Sequence, residues 1–206
     1  MDKIKACQFA DLAYYCKEPP VPRIYQKVEY LQSSGTQYIA TGVYNANGLD
    51  ITFQSLASQS RGIAAYHQSM GSANNRFGII QTTEFSGLFL IFSDNSQYAP
   101  YYDLNKHSLS FGAYTDWEVY YDNEYKQTFT AQTSSTNYQF LLFGATADGY
   151  GKVKIYNCCI YIGTDKQRDY IPCYRKSDNK PGMYDLVTKT FFTNAGTGEF
   201  VVGNNV

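Results

Sequence analysis

From position 23 onward, apolar and polar residues alternate in short runs broken by Gly, Asn, Ser and Asp clusters. The runs Ile24–Leu31, Gln37–Tyr44, Leu49–Leu56, Arg61–Tyr66, Arg76–Gln81 and Leu88–Phe92 read as strands. So do His107–Tyr114, Trp117–Tyr121, Tyr125–Ala131 and Tyr138–Phe143, at the roughly 8–12-residue spacing of β-sandwiches. Val153–Ile162 is continuously apolar from Cys158, which predicts a central strand covered on both faces. Asp169–Tyr174 returns after a turn at Gly163-Thr164-Asp165, and Pro172, lacking an N–H, places this return at an edge or a bulge. A polar loop, 175–182, leads to Met183–Leu186, a turn at 187–189 and the aromatic strand Thr190–Phe192. Trp117–Tyr121 and Tyr125–Phe129 form a hairpin whose Asp122-Asn123 turn tolerates left-handed backbone.

One segment has a different period. Over Asp2–Glu18, Ala6, Phe9, Leu12, Ala13 and Cys16 recur on one helical face, with Asp2 as N-cap and Pro19-Pro20 as terminator. A helix this short is marginal in water, so its apolar stripe needs a cover. That cover is either the chain's own β-domain or another subunit, with the Pro-rich stretch to Pro22 as a stiff spacer. The chain thus divides into residues 1–22 and a β-domain over 23–206, and 206 residues suffice for one sizeable core.

Composition narrows the function classes. Charged residues make up 17% and the net charge is −1, which removes the basic footprint of a nucleic-acid binder. Twenty-one tyrosines against one tryptophan suit half-buried strands and wet recognition surfaces alike. The five cysteines include no C-x-x-C pair, and the neighbours Cys158 and Cys159 point to opposite faces of a strand as small buried hydrophobes. Residues 1–20 do not read as a secretory signal, and no apolar run approaches the ~18 residues of a membrane helix.

Two blocks carry a family resemblance. The order I-Y-x-C-x-I-Y, R-D-Y-I-P-C-Y-R-K-S-D and G-M-Y-D-L-V-T-K-T-F-F-T-N-A-G-T-G-E-F over 155–200 resembles the C-terminal half of laminin-G-like, concanavalin-type jelly-roll domains. Val28-Glu29-Tyr30-Leu31-Gln32-Ser33-Ser34-Gly35-Thr36-Gln37-Tyr38-Ile39 with Thr41-Gly42 is similar to the opening hairpin of that group. Such domains occur in bacteriophage virion proteins and in surface proteins of gut bacteria. The resemblance implies an all-β, antiparallel two-sheet jelly roll preceded by the short helix. With no export signal read, it implies a virion protein made in the host cytoplasm and displayed on the particle exterior as a head fibre, capsid decoration or tail-associated adhesin. Residues 1–22 would attach it to other virion proteins through Phe9, Leu12, Ala13 and Cys16, as a homo-oligomer without membrane insertion.

The search for chemistry yields little that is catalytic. Glycoside hydrolysis needs two carboxylates ~5–9.5 Å apart, and no E-x-D-x-E occurs. Glu118, Asp122 and Glu124 straddle a turn, where they read as solvating and capping groups. His67 and His107 lack acidic or cysteine neighbours in sequence, and no G-x-S-x-G elbow is present. Some laminin-G-like relatives bind calcium through loop oxygens, but Asp94, Asp103 and Asp148 lack the dense spacing of a calcium loop, so no metal is assigned, and no cofactor is expected. Two loops mix rings with short polar groups: Ser93–Asp103, with Tyr98, Tyr101, Tyr102 and Asp103, and 146–151, with Asp148 and Tyr150. Either these bind a glycan or host surface, or their tyrosines fold down as lids on the core. A non-enzymatic adhesin is the expectation. The alternatives are a glycan hydrolase of the same fold and a ligand-free shell stabiliser.

Overall fold

The computed structural model describes residues 21–57, 62–67, 76–81, 88–92, 95–99, 103–130, 137–145 and 149–206. The expected helix over Asp2–Glu18 lies outside them. Among the described residues the chain is all-β, in two sheets, with one 3-10 turn at Ala113–Thr115. No helix there is long and apolar enough to cross a membrane.

The first nine strands are β1 (Tyr25–Lys27), β2 (Leu31–Gln32), β3 (Ile39–Tyr44), β4 (Gly48–Ser55), β5 (Gly62–His67), β6 (Arg76–Gln81), β7 (Leu88–Phe92), β8 (Asn95–Ala99) and β9 (Lys106–Gly112). Then come β10 (Glu118–Tyr121), β11 (Glu124–Thr128), β12 (Gln139–Leu142), β13 (Gly144–Ala145) and β14 (Gly149–Tyr150). The last five are β15 (Val153–Ile162), β16 (Asp165–Arg175), β17 (Lys180–Asp185), β18 (Thr190–Thr193) and β19 (Val201–Val202). The larger sheet runs β11-β10-β9-β4-β15-β16-β17-β18, with β1 beside β16 and β2 between β15 and β19. The smaller runs β13-β14-β5-β6-β7-β8, with β12 joining β3 to β5. Pairing is antiparallel except where Tyr150 lies parallel to Gly62.

Alternation explains the core. Leu49, Ile51 and Phe53 of β4 and Leu109 and Phe111 of β9 point inward from the larger sheet, while Phe77, Ile79, Leu88, Leu90, Phe140 and Leu142 meet them from the smaller. Phe77 and Phe111 pack ring to ring at 5.0 Å across that boundary. Each such fully buried ring stabilises the fold by about 2–3 kcal/mol. A second cluster, Cys173, Tyr184 and Leu186 with Tyr25, Ile171 and Phe191, lies apart from this core.

Two expectations change. The strand β15 is central, between β4 and β16, yet its burial alternates: Val153, Ile155, Cys158 and Ile160 are buried, while Lys154, Tyr156, Cys159 and Tyr161 are not. A bulge between Ile155 and Asn157 sets the phase, so its apolar tail does not imply cover on both faces. Pro172 sits inside the sheet, and its strand carries the expected bulge, with Gln167 the extra residue between Arg168 opposite Ile160 and Lys166 opposite Tyr161. The proline occupies the point where β16 exchanges one neighbour for another: β15 pairs as far as Tyr170, and β1 begins at Cys173. The Val28 N–H donates to the Pro172 carbonyl at 3.0 Å, but Pro172 has no N–H with which to return that bond, so the pairing of β16 with the β1 segment is one-sided at this residue. Finally, the middle of the expected loop Ser93–Asp103 is strand β8, in register from Phe92 opposite Asn95 to Leu88 opposite Ala99. The hairpin at Asp122-Asn123 is as expected, with φ of 52° and 64°.

Candidate functional site

The sequence-predicted residues fall in separate places. Tyr98 lies in β8, opposite Phe89. Tyr101, Tyr102 and Asp148 lie outside the described residues, as do Asp94, Phe9, Leu12, Ala13 and Cys16. Asp103 attaches to β9 of the larger sheet, and Tyr150 belongs to the smaller.

Tyr150 is the residue around which a recognition site forms. Its ring stacks on Tyr38 with centroids 4.7 Å apart and planes 3° from parallel, and it stays 38% exposed. The stack depends on Gly144, its partner in register: a Cβ there would come within 2.7 Å of the Tyr150 ring. Opposite the rings, the loop 194–198 is fastened to residues 36–38. Asn194 Oδ1 accepts from the Tyr38 and Gly196 N–H groups, Ala195 donates to the Tyr38 carbonyl, and Thr36 and Thr197 exchange bonds at 3.1 Å. Gly196 is required because a Cβ would fall 2.1 Å from the Thr36 carbonyl. The turn before them is held from below, where the buried Gln37 amide oxygen accepts from Ser33 and Ser34. Thr36, Tyr38, Tyr150, Ala195, Gly196 and Thr197 thus line a cavity of about 320 Å³. Burial, and then the neighbouring Tyr38, raises the Tyr150 pKa, so the Tyr150 phenol is a neutral donor and acceptor near pH 7. An aromatic platform beside hydroxyls and backbone amides offers stacking and hydrogen bonds to a small polar ring.

A second constellation was not legible in the sequence. His107 Nε2 lies 2.7 Å from Asp103, and Nδ1 lies 2.7 Å from Asp122. The acids that this histidine lacks as immediate neighbours arrive from four residues before it and from the β10–β11 turn. Asp122 also accepts the Ser108 N–H at 2.8 Å, so it ties the turn to β9 as well as capping it. With a carboxylate at each nitrogen, both ring nitrogens donate only as imidazolium. Held at both nitrogens, the ring acts as a clasp between the segment before β9 and the β10–β11 turn.

A further pair of acidic groups, Asp50 and Asp169, flanks Cys159 in one row across β4, β15 and β16. Strand spacing puts their Cα atoms about 9–10 Å apart. Both are engaged. Lys166 holds Asp169 at 2.8 Å, and Ser110 bonds Asp50, whose pKa burial raises. The Cys159 thiol, pushed up to about 12 by burial and then by Asp169, fills the row between them. Asp185 also escaped the sequence reading. Fully buried, it accepts from the Asp169, Val187 and Thr188 N–H groups and the Thr188 hydroxyl, with Arg168 3.7 Å away. It is the anchor of the β17–β18 turn. Among the described residues no three His, Cys, Asp or Glu side chains converge as a metal site.

Comparison with protein-family models, curated proteins and solved structures finds no match to this chain.

Proposed function

We propose that this chain is a non-enzymatic, lectin-like binding module of a bacteriophage particle. In this reading its two sheets form a laminin-G-like jelly roll, made in the host cytoplasm and displayed on the virion exterior, with residues 1–22 joining it to other virion proteins. Antiparallel sheets around one shared core and the order of the sequence blocks over 28–39 and 155–200 support the fold assignment. The observation that carries the binding function is the Tyr38–Tyr150 stack at the mouth of a polar-rimmed cavity. A sugar ring presents an apolar face to such a platform and hydroxyls to the Thr36 and Thr197 rim. One contact of this size is weak, and copies displayed together on a particle raise it by avidity.

The test is a neutral-glycan binding screen on the full chain and on Tyr150→Ala. Saturable binding that the substitution removes, with the fold intact by circular dichroism, is the expected result. A wild-type chain that binds no glycan, or a variant that binds as tightly, overturns it. Attachment is tested separately by deleting residues 1–22: the shortened chain is expected to be missing from purified particles, and its incorporation would refute the anchor.

A further inference from the structure

Away from the core, the larger sheet carries a row of side chains in which Lys106, Gln54, Lys154 and Gln32 are neighbours across β9, β4, β15 and β2. Both ammonium groups are pinned by rings. Lys106 Nζ lies 4.0 Å from the centre of Tyr156, and Lys154 Nζ lies 4.3 Å from the centre of Tyr30, the two rings meeting edge to face at 5.4 Å. Between the lysines, Gln54 is held at both ends, donating to the Leu104 carbonyl at 2.8 Å and accepting from the Tyr156 hydroxyl at 3.1 Å. Among the described residues neither ammonium is in an ion pair, whereas Lys126, Lys166 and Lys180 each hold a carboxylate.

We propose that this row is a second binding site, which takes an anionic glycan through the paired ammonium groups of Lys106 and Lys154. Two strand spacings separate the lysines by about 9–10 Å, a span that suits charges repeated along a polymer better than one small anion. Ring contacts order the lysine stems beforehand, which lowers the entropy lost on binding. Nucleic acid fits less well, because its affinity comes from many cations, and here Glu29 lies close enough to influence Tyr156 while the whole chain carries −1. The site shares no residue with the lining of the Tyr38–Tyr150 cavity.

The experiment measures binding of the full chain to oligogalacturonate, dextran sulfate, neutral dextran and single-stranded DNA by calorimetry at low salt. Oligogalacturonate or dextran sulfate binds, and the preferred one identifies the anion as carboxylate or sulfate; dextran does not compete. Lys106→Gln with Lys154→Gln weakens that binding about tenfold or more, Glu29→Gln tightens it, and Tyr150→Ala leaves it unchanged. Absence of binding to both anionic glycans overturns the proposal, as does undiminished binding by the double lysine variant. Preferential binding of DNA overturns it in favour of a nucleic-acid surface. Because the neutral-glycan screen reads the other cavity, either site can fail without the other.

Discussion

The Nδ1 of His107 lies 2.7 Å from the carboxylate of Asp122, and the same ring stacks on Tyr121 at 4.7 Å, so one imidazole joins β9 to the end of β10. Asp103 occupies the other nitrogen. Burial alone would lower the His107 pKa, but the two hydrogen-bonded carboxylates outweigh it and raise it above 6.5. His107 holds Asp103 down at about 2 and outweighs burial to hold Asp122 below 3.8.

The sign of the pH dependence follows. A raised histidine contributes stability fully below 6.5 and loses it as pH rises through its folded value. The lowered carboxylates contribute above 3.8 and lose it as pH falls toward about 2. An NMR titration is expected to place the His107 midpoint above 6.5, and Asp122→Asn to lower it. A wild-type midpoint at or below 6.5 would contradict the clasp.

Replacing Asp185 by Ala is expected to be among the most damaging single changes. It strands the N–H groups of Asp169, Val187 and Thr188 and leaves Arg168 without its partner. Removing one side of a buried charged network costs about 3–5 kcal/mol. Chemical denaturation is the check, and a loss under about 1 kcal/mol, the scale of one ordinary hydrogen bond, would show that the turn holds without its anchor.

The thiols should be inert in the folded protein. Burial raises the Cys158 pKa well above its ordinary value and pushes Cys173 to about 12, while Cys159 stands at about 12 for the same reason with Asp169 adding to it. The thiolate is the reactive form. In a Cys7→Ser, Cys16→Ser variant, a thiol-specific chromophore at pH 8 is therefore expected to register no prompt reaction until denaturant is added. Prompt labelling of Cys159 would mean that the outer face of β15 is more open than its neighbours imply.

How much of this was legible depended on the range of each interaction. Arg76–Gln81 and Leu88–Phe92 could be read to the residue because their apolar runs end abruptly in polar ones. Asn95–Ala99 could not, since three of its first four residues are polar and only pairing to β7 makes it a strand. Pro172 pointed to an edge or a bulge, and only the pairing decides between them: β16 is bulged against β15, and β15 gives way to β1 beside the proline. Tyr150 was singled out from its glycine-rich surroundings, but its stacking partner Tyr38 lies in a distant segment, and no local pattern joins them. Asp122 was read as an ordinary turn residue and Asp185 only as part of a strand, because the Ser108 and Asp169 N–H groups that they hold come from other strands.

Two glycines at the Tyr38–Tyr150 cavity separate stability from recognition. At Gly196 an added methyl meets the Thr36 carbonyl at 2.1 Å, a backbone atom fixed by its bond to Thr197, so Gly196→Ala must tear the loop from residues 36–38. It is expected to lower the melting temperature, with a cost of about 1–3 kcal/mol as in other overpacked sites. At Gly144 the nearest atom is instead the Tyr150 ring at 2.7 Å, a side chain that can turn outward. Gly144→Ala should therefore leave the melting temperature nearly unchanged while breaking the stack. Tyrosine fluorescence and glycan binding are expected to change together in that variant. If Gly144→Ala alters neither, the parallel rings are not what the cavity uses to recognise its ligand.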